Sequence, residues 1–287
     1  MTLPECGCCP GAGYADYCKF TALTNLLMAT FLFDSIVFGP VSSRRLGVSL
    51  GINLLPVNRK VCSFNCIYCE CGWTDAPSES REKLPSRTAV YEALRKKLSE
   101  MKKEGQAPDV ITYAGNGEPT LHPAFAGIID DSLALRDEYF PETKISVLSN
   151  GSMLHRKSVR EALKKVDMNM LKLDSVMPGT VEQLNQPRNR FDLEKYEEYL
   201  KEFQGRFIIQ TLFVRGECNG RHVDNTTPQE IEQWLLAIER IRPGQVMIYT
   251  IHRDTPLGNN LRKVPVSELN EIARRVNALG IATSVSG

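Results

Sequence analysis

The sequence predicts an α/β protein, a partial (β/α)6 barrel with a parallel sheet, open on one side. Three observations predict it. Short segments rich in Val, Ile and Leu alternate with amphipathic segments of helical length from Leu46 onward. Six such β–α pairs follow one another, and successive pairs of this kind pack as parallel strands with right-handed crossovers. A full barrel takes eight pairs, so six leave it open. Hydrophobic residues make up 42% of the 287 and charged residues 24%, the balance of a globular chain long enough to bury a sizeable core.

The first strand is expected over Gly47–Leu55. Thr74–Arg87 is polar, carries proline and reads as a loop. Helix Thr88–Glu104 and strand Asp109–Ala114 follow, then helix Pro123–Glu138 and strand Lys144–Leu148. Helix Arg156–Lys165 leads to strand Met168–Leu173, and helix Asp192–Phe203 to strand Arg206–Val214. Helix Pro228–Ile241 carries a clear start: Thr227 offers a capping hydroxyl, Pro228 takes the first helical position, and Glu230 lies two residues on. Strand Gln245–Ile251 and helix Ser267–Leu279 complete the series, with Gly280 where a helix would stop. A last apolar piece, Ile281–Val285, packs against the sheet edge or covers the opening.

Residues 1–27 differ from the rest. They carry Cys6, Cys8, Cys9 and Cys18 with Gly and Pro and little periodicity. Two readings stand: Met28 is the true start, or the leader is a short metal-binding extension. The expected organisation is therefore a cysteine-containing leader over 1–27 and one domain over 28–287.

Thirty-five basic residues against thirty-four acidic ones give a net charge of +1, so no global field attracts nucleic acid and only a local patch would serve. The longest apolar stretch, near Leu23–Val37, is broken by Thr24, Asn25, Thr30, Asp34 and Ser35. It falls short of the ~20 apolar residues of a membrane span, and no membrane partner is expected. Nor has it the basic start and small-residue end of a signal peptide. Nine cysteines are an odd number and are clustered, which points to metal or redox chemistry in the reducing cytoplasm rather than to a disulfide framework.

The informative segment is Cys62-Ser-Phe-Asn-Cys66-Ile-Tyr-Cys69-Glu-Cys71, between the first strand and the first helix. In a parallel β/α fold that is the face where loops build sites. Three thiolates this close can wrap one face of an iron–sulfur cubane, leaving one iron open. The alternatives are a structural zinc site on Cys62, Cys66, Cys69 and Cys71, or reduced thiols packed as small hydrophobes. Four zinc ligands in one ten-residue loop are cramped.

Cys-x3-Cys-x2-Cys with the aromatic Tyr68 before the third cysteine resembles the radical S-adenosylmethionine superfamily. The resemblance implies a [4Fe–4S] cluster on Cys62, Cys66 and Cys69, with S-adenosylmethionine on the open iron. It implies reductive cleavage to methionine and a 5′-deoxyadenosyl radical that abstracts a substrate hydrogen. A reductant such as flavodoxin or ferredoxin is then a partner. The catalytic residues beyond the cofactors stay unassigned, as does Cys71.

Three further motifs stand at strand ends. Gly115-Asn116-Gly117-Glu118-Pro119 resembles the superfamily's Gly-Gly-Glu element. Its glycines would let backbone approach the cofactor, and Glu118 would hold the loop; taken alone it is a Gly-rich turn. Ser149-Asn150-Gly151 resembles a Ser/Thr-Asn-Gly whose polar groups face the cofactor; taken alone it is a strand-ending turn. Lys172 and Asp174 end the fourth strand, where the resemblance implies contact with the methionine carboxylate or the ribose. Being two apart, they point the same way, opposite to Leu171 and Leu173. Gln210, Tyr249, Ile251, Arg215 and His252 also lie on or near strand ends.

Phe38-Gly-Pro-Val-Ser-Ser-Arg44-Arg45-Leu-Gly47 adds a narrower likeness. With the Gly-Asn-Gly-Glu-Pro and Leu-Lys-Leu-Asp elements it resembles the branch of the 4-demethylwyosine synthases of tRNA and their bacterial relatives. Arg44 and Arg45 suit a phosphate or carboxylate. Branch membership, rather than the wyosine reaction, is what is implied. No cysteine lies between Cys18 and Cys62, upstream of the motif where the synthases take ligands for a second cluster. The expected substrate is RNA or nucleoside-like. A peptide or protein substrate is the alternative, and a non-enzymatic zinc protein the third reading.

Overall fold

A computed structural model of the chain describes residues 31–43, 46–74 and 84–287. The leader cysteines, Met28, Arg44 and Arg45 lie outside the described residues. The strands are β1 (Val37–Ser43), β2 (Gly47–Ile52), β3 (Val110–Tyr113), β4 (Lys144–Ser149), β5 (Met168–Lys172), β6 (Ile208–Cys218), β7 (Arg221–Asp224), β8 (Gln245–Thr250), β9 (Leu261–Lys263) and β10 (Ala282–Ser286). The helices are α1 (Arg87–Lys103), α2 (Phe125–Tyr139), α3 (Lys157–Leu163), α4 (Pro178–Leu184), α5 (Leu193–Lys201), α6 (Pro228–Ile241) and α7 (Val266–Ala278).

Strands β2, β3, β4, β5, β6, β8 and β10 run parallel in that spatial order, and β1 flanks β2 antiparallel. The six expected β–α pairs are therefore present as a partial barrel. The last apolar piece becomes a seventh parallel strand: Ala282 pairs with Gln245 and Ser286 with Tyr249, so it extends the sheet edge instead of covering the opening. Among the described residues no pairing joins β1 to β10.

The outward strand faces carry the core. Leu50, Ile52, Ile111, Ile145, Val147, Leu171 and Ile209 are buried under the helices. Helix α1 answers with Val90, Leu94, Leu98 and Met101, spaced to fall on one face. Burying each such side chain contributes ~1.5–3 kcal/mol. Ser86 starts this helix by accepting from the Ala89 amide at 3.1 Å, and Thr227 accepts from the Glu230 amide at 3.3 Å at the start of α6. The inward faces alternate with the outward ones and are more polar. Ser49 and Thr112 are hydrogen-bonded there at 2.8 Å.

Three features were missed in the sequence, the first being strand β1, since no strand was expected before Gly47. Strand β6 is longer than expected because beyond Val214 it leaves the parallel sheet and pairs antiparallel with β7 and β9. The hairpin turn is Asn219-Gly220, both at positive φ (52° and 71°), a pair suited to a two-residue turn. Helix α4 is short and opens on Pro-Gly, which reads locally as a turn. Tertiary contact anchors it: the Thr180 hydroxyl donates to Glu230 at 2.5 Å, and Ser175 donates to the same carboxylate at 2.6 Å. No helix among the described residues is long and apolar enough to cross a membrane.

Candidate functional site

The cysteine loop follows β2 and is gripped by two stretches of backbone. On one side the turn after β3 holds Val61: its amide donates to the Asn116 carbonyl at 2.8 Å, and the Glu118 amide donates to the Val61 carbonyl at 3.1 Å. Gly117 permits this approach. It sits at φ 138°, and a Cβ there would run into the Val61 carbonyl. On the other side the segment leaving α4 is bonded to the loop. The Ile67 amide donates to Leu184, the Asn65 amide to Asn185, and the Arg188 amide to Ser63, at 2.9–3.0 Å. Phe64, Ile67, Leu184, Leu212, Val214 and Ile251 enclose Cys66 and Tyr68 in apolar packing.

Cys62, Cys66 and Cys69 thereby line one cavity of about 230 Å³ at the C-terminal end of the sheet. Tyr68, Gly115, Gly117 and Glu118 share it, as do Ser149, Asn150 and Lys172. Gln210 and Tyr249 complete the wall.

Two expected site residues do not line it. Asn116 is wholly buried, and its carboxamide accepts from the Phe33 amide and donates to the Phe33 and Pro56 carbonyls, each at 2.8 Å. It clamps the chain before β1 instead of facing a cofactor. Asp174 is a buried hub. Its carboxylate accepts from Tyr68, from Asn185 at 2.7 Å, from the Leu212 amide at 2.9 Å and from Lys172 at 3.3 Å. The shared direction of Lys172 and Asp174, expected from strand alternation, is what lets them pair. A Cβ on Gly115 would strike Asn53, so both Gly115 and Gly117 make room for protein backbone and side chains. Arg215 is engaged by Asp224, Thr226 and Glu268 on the β6–β7 side, and His252 is exposed.

Sequence reasoning missed the donors to the thiols. Asn150 Nδ2 lies 3.5 Å from the Cys62 sulfur, and Asn185 Nδ2 lies 3.6 Å from the Cys66 sulfur. Lys60 hydrogen-bonds Cys69 and donates to the Gly72 carbonyl at 2.8 Å. Lys60 stands two residues before Cys62 and was legible as a neighbour. Asn185 follows the unforeseen α4, and nothing local marked it. Cys71 donates to the Gly115 carbonyl at 3.6 Å and also hydrogen-bonds Cys69.

Burial pushes the Cys62 thiol up to about 12 and raises that of Cys66. Cys71 and Lys60 pull Cys69 the other way, downward. Burial opposes the charge on Lys60, yet its sulfur neighbours Cys69, Cys62 and Cys66 outweigh it and its pKa rises. Lys172 shows the same contest, with burial overcome by Asp174 and Tyr249.

Glu118 is held by the Thr120 amide at 3.1 Å and hydroxyl at 2.5 Å, by the Ser149 hydroxyl at 2.8 Å and by the Asn150 amide at 2.6 Å. This carboxylate ties the turn after β3 to the end of β4. Burial pushes its pKa up, and those bonds pull it only partly back. The folded chain therefore holds this proton more tightly than the unfolded one, where Glu titrates near ~4.3. Stability from this group is highest below that range and falls as pH rises toward the raised folded value. Urea midpoints taken from about pH 4 to about pH 7 should show that decline, and Glu118→Gln should flatten it.

Among the described residues no three His, Cys, Asp or Glu side chains converge to hold a single metal ion. A mononuclear zinc site would require sulfurs ~2.3 Å from one point. Three thiols spread over one wall, each with its own side-chain donor and with apolar packing behind, suit the separated corners of a cluster.

The family described as the Radical SAM superfamily matches residues 60–217, from Lys60 through β6. The chain belongs to that superfamily, and within it to the proteins described as UPF0026. Membership of that superfamily implies an iron–sulfur cluster and S-adenosylmethionine. A UPF0026 protein of Synechocystis is 30% identical over 231 residues, covering 78% of each chain. A UPF0026 protein of Helicobacter pylori is 34% identical over 186 residues, 63% of this chain and 57% of that one. A protein of Brachyspira hyodysenteriae described as GTPase Obg is 29% identical over 226 residues, 76% of this chain. The chain spans only 30% of that protein and little more than half of the Helicobacter one. Among solved structures, a radical SAM methyltransferase from Sphaerobacter thermophilus shares the fold with a TM-score of 0.60 and 13% identity, over 83% of this chain and 66% of that one.

Proposed function

We propose that Cys62, Cys66 and Cys69 hold a [4Fe–4S] cluster and that the shared cavity beside them takes S-adenosylmethionine. The observation that carries this reading is that one cavity joins the three thiols to Glu118, Ser149, Asn150 and Lys172 from three successive strand ends. Such a cluster, with S-adenosylmethionine beside it, would supply one-electron reductive cleavage chemistry and so a 5′-deoxyadenosyl radical for hydrogen abstraction.

The chain's own residues do the rest. Asn150 and Asn185 orient the Cys62 and Cys66 sulfurs. Lys172, fixed by Asp174 and by the Tyr68 hydroxyl at 2.5 Å, offers an ammonium to the methionine carboxylate. The Gly115 and Gly117 backbone lines the same wall, held in place by Glu118. The apolar packing around Cys66 and Tyr68 excludes water from the reducing centre. A flavodoxin or ferredoxin in the cytoplasm supplies the electron.

The substrate is RNA or nucleoside-like. Arg188 and Arg190 are exposed beside the cysteine loop, and Arg221, Arg262 and Lys263 are exposed on the β7 and β9 strands. Exposed cations of this kind are what a local patch would draw on, since a net charge of +1 gives no global field.

The test uses protein reconstituted with iron and sulfide without oxygen, reduced with dithionite and given S-adenosylmethionine. 5′-Deoxyadenosine is expected from the wild type and not from Cys66→Ala. Zinc-only protein with no product would overturn the cofactor reading. Salt-dependent retention of RNA is the expected companion result, and its failure moves the substrate to the peptide or protein class.

A further inference from the structure

Lys60 is 4% exposed, an ammonium taken almost wholly out of water. Burying such a charge is costly without a partner. Its one neutral anchor is the Gly72 carbonyl at 2.8 Å. The charges that favour its protonated form most are Cys69, Cys62 and Cys66, not a carboxylate. Backbone fixes its position: Val61, the next residue, is bonded on both sides to the turn after β3. Lys60 also lines the cavity with the three thiols. A cation held there serves whatever negative charge those thiolates carry.

We propose that Lys60 is a positioning residue for charge at the cluster: its buried ammonium stabilises the one-electron-reduced cluster on Cys62, Cys66 and Cys69 and so raises its reduction potential. This rests on the cluster reading above. The step adds one electron from a reductant to the oxidised cluster; no bond forms or breaks, and Lys60 keeps its proton throughout. Cluster potentials follow net charge and hydrogen bonds to the sulfurs, and Lys60 supplies a positive charge inside the cavity that Cys62, Cys66 and Cys69 line. Asn150 and Asn185 supply only neutral donors to the Cys62 and Cys66 sulfurs. The physical consequence is that a biological donor reduces the centre more easily than the thiolates alone would allow.

The test is a potentiometric titration of reconstituted protein, with the reduced cluster followed by electron paramagnetic resonance and with iron and sulfide counted per chain. Wild type, Lys60→Met and Lys60→Arg are compared. Lys60→Met is expected to load a cluster and show at least a tenfold smaller reduced-to-oxidised ratio at the wild-type midpoint, a fall of about 59 mV for a one-electron couple. Lys60→Arg should stay near the wild type. A Lys60→Met cluster with an unchanged midpoint would overturn the proposal, as would an arginine variant that falls as far as the methionine one. Should Lys60→Met keep its circular dichroism yet lose iron while Lys60→Arg keeps it, the charge requirement is upheld by retention. A second readout avoids variants altogether: wild type grown with 15N-lysine should show a 15N coupling in pulsed spectra of the reduced cluster, and its absence overturns the contact. Wild type that holds no cluster at all sinks the cofactor reading instead, so the two failures are distinct.

Discussion

Cys71→Ala protein is expected to keep its cluster with 5′-deoxyadenosine formation lowered about tenfold, whereas Cys62→Ala, Cys66→Ala and Cys69→Ala each lose both to background. All four sulfurs line the cavity, so exposure to the site does not separate them. Their bonding does. The Cys71 thiol donates to the Gly115 carbonyl at 3.6 Å, and on the proposed assignment it would support the cluster loop without binding the cluster. Removing an outer partner of this kind costs ~10–100-fold in metal affinity or activity, and a weak sulfur donor belongs at the lower end of that range. Removing one of the three ligands leaves a cluster corner without its thiolate. Iron and sulfide per chain, read beside product formation, check the contrast. Equal loss from all four variants, with zinc in place of iron, would establish a four-cysteine zinc site.

Asp174→Ala is expected to lower folding stability by about 3–5 kcal/mol, because removing one partner of a buried ion pair leaves the other charged and unpaired. The Asp174 side chain has no exposure and that of Lys172 only 13%, so solvent does little to screen the loss. The Tyr68 hydroxyl, the Asn185 carboxamide and the Leu212 amide lose an acceptor at the same time. The damage reaches function through Lys172 and Tyr68, which line the cavity that Asp174 does not. Asp174→Asn keeps the shape and part of the hydrogen bonding and should fall between the two. Urea unfolding gives the stability, and equilibrium binding of S-adenosylmethionine to the loaded protein gives the effect on the site. A variant as stable as the wild type would show that the Asp174 network carries no net stability.

The partial barrel was legible because its causes are local. Val-, Ile- and Leu-rich segments alternating with helices such as Pro228–Ile241, capped by Thr227, define each β–α unit without reference to the rest. The cysteine loop was legible for the same reason: its spacing is written in ten consecutive residues. The strand-end motifs added position, since each strand end in a parallel sheet faces one common mouth. Strand alternation also placed Lys172 and Asp174 on one side correctly.

What escaped is what depends on distant contacts. Asn116 and Asp174 occupy motif positions, but their protein partners Phe33, Pro56, Tyr68, Asn185 and Leu212 could not be read along the chain. Helix α4 forms against Glu230, about fifty residues away in sequence, as its Thr180 contact records. The antiparallel extension of β6 requires β9, and Asn185 reaches Cys66 across 119 positions. Period and spacing are properties of neighbours along the chain and survive without a fold. Which buried donor meets which acceptor is settled only when packing removes water, because only then does each unpaired group carry a cost large enough to choose its partner.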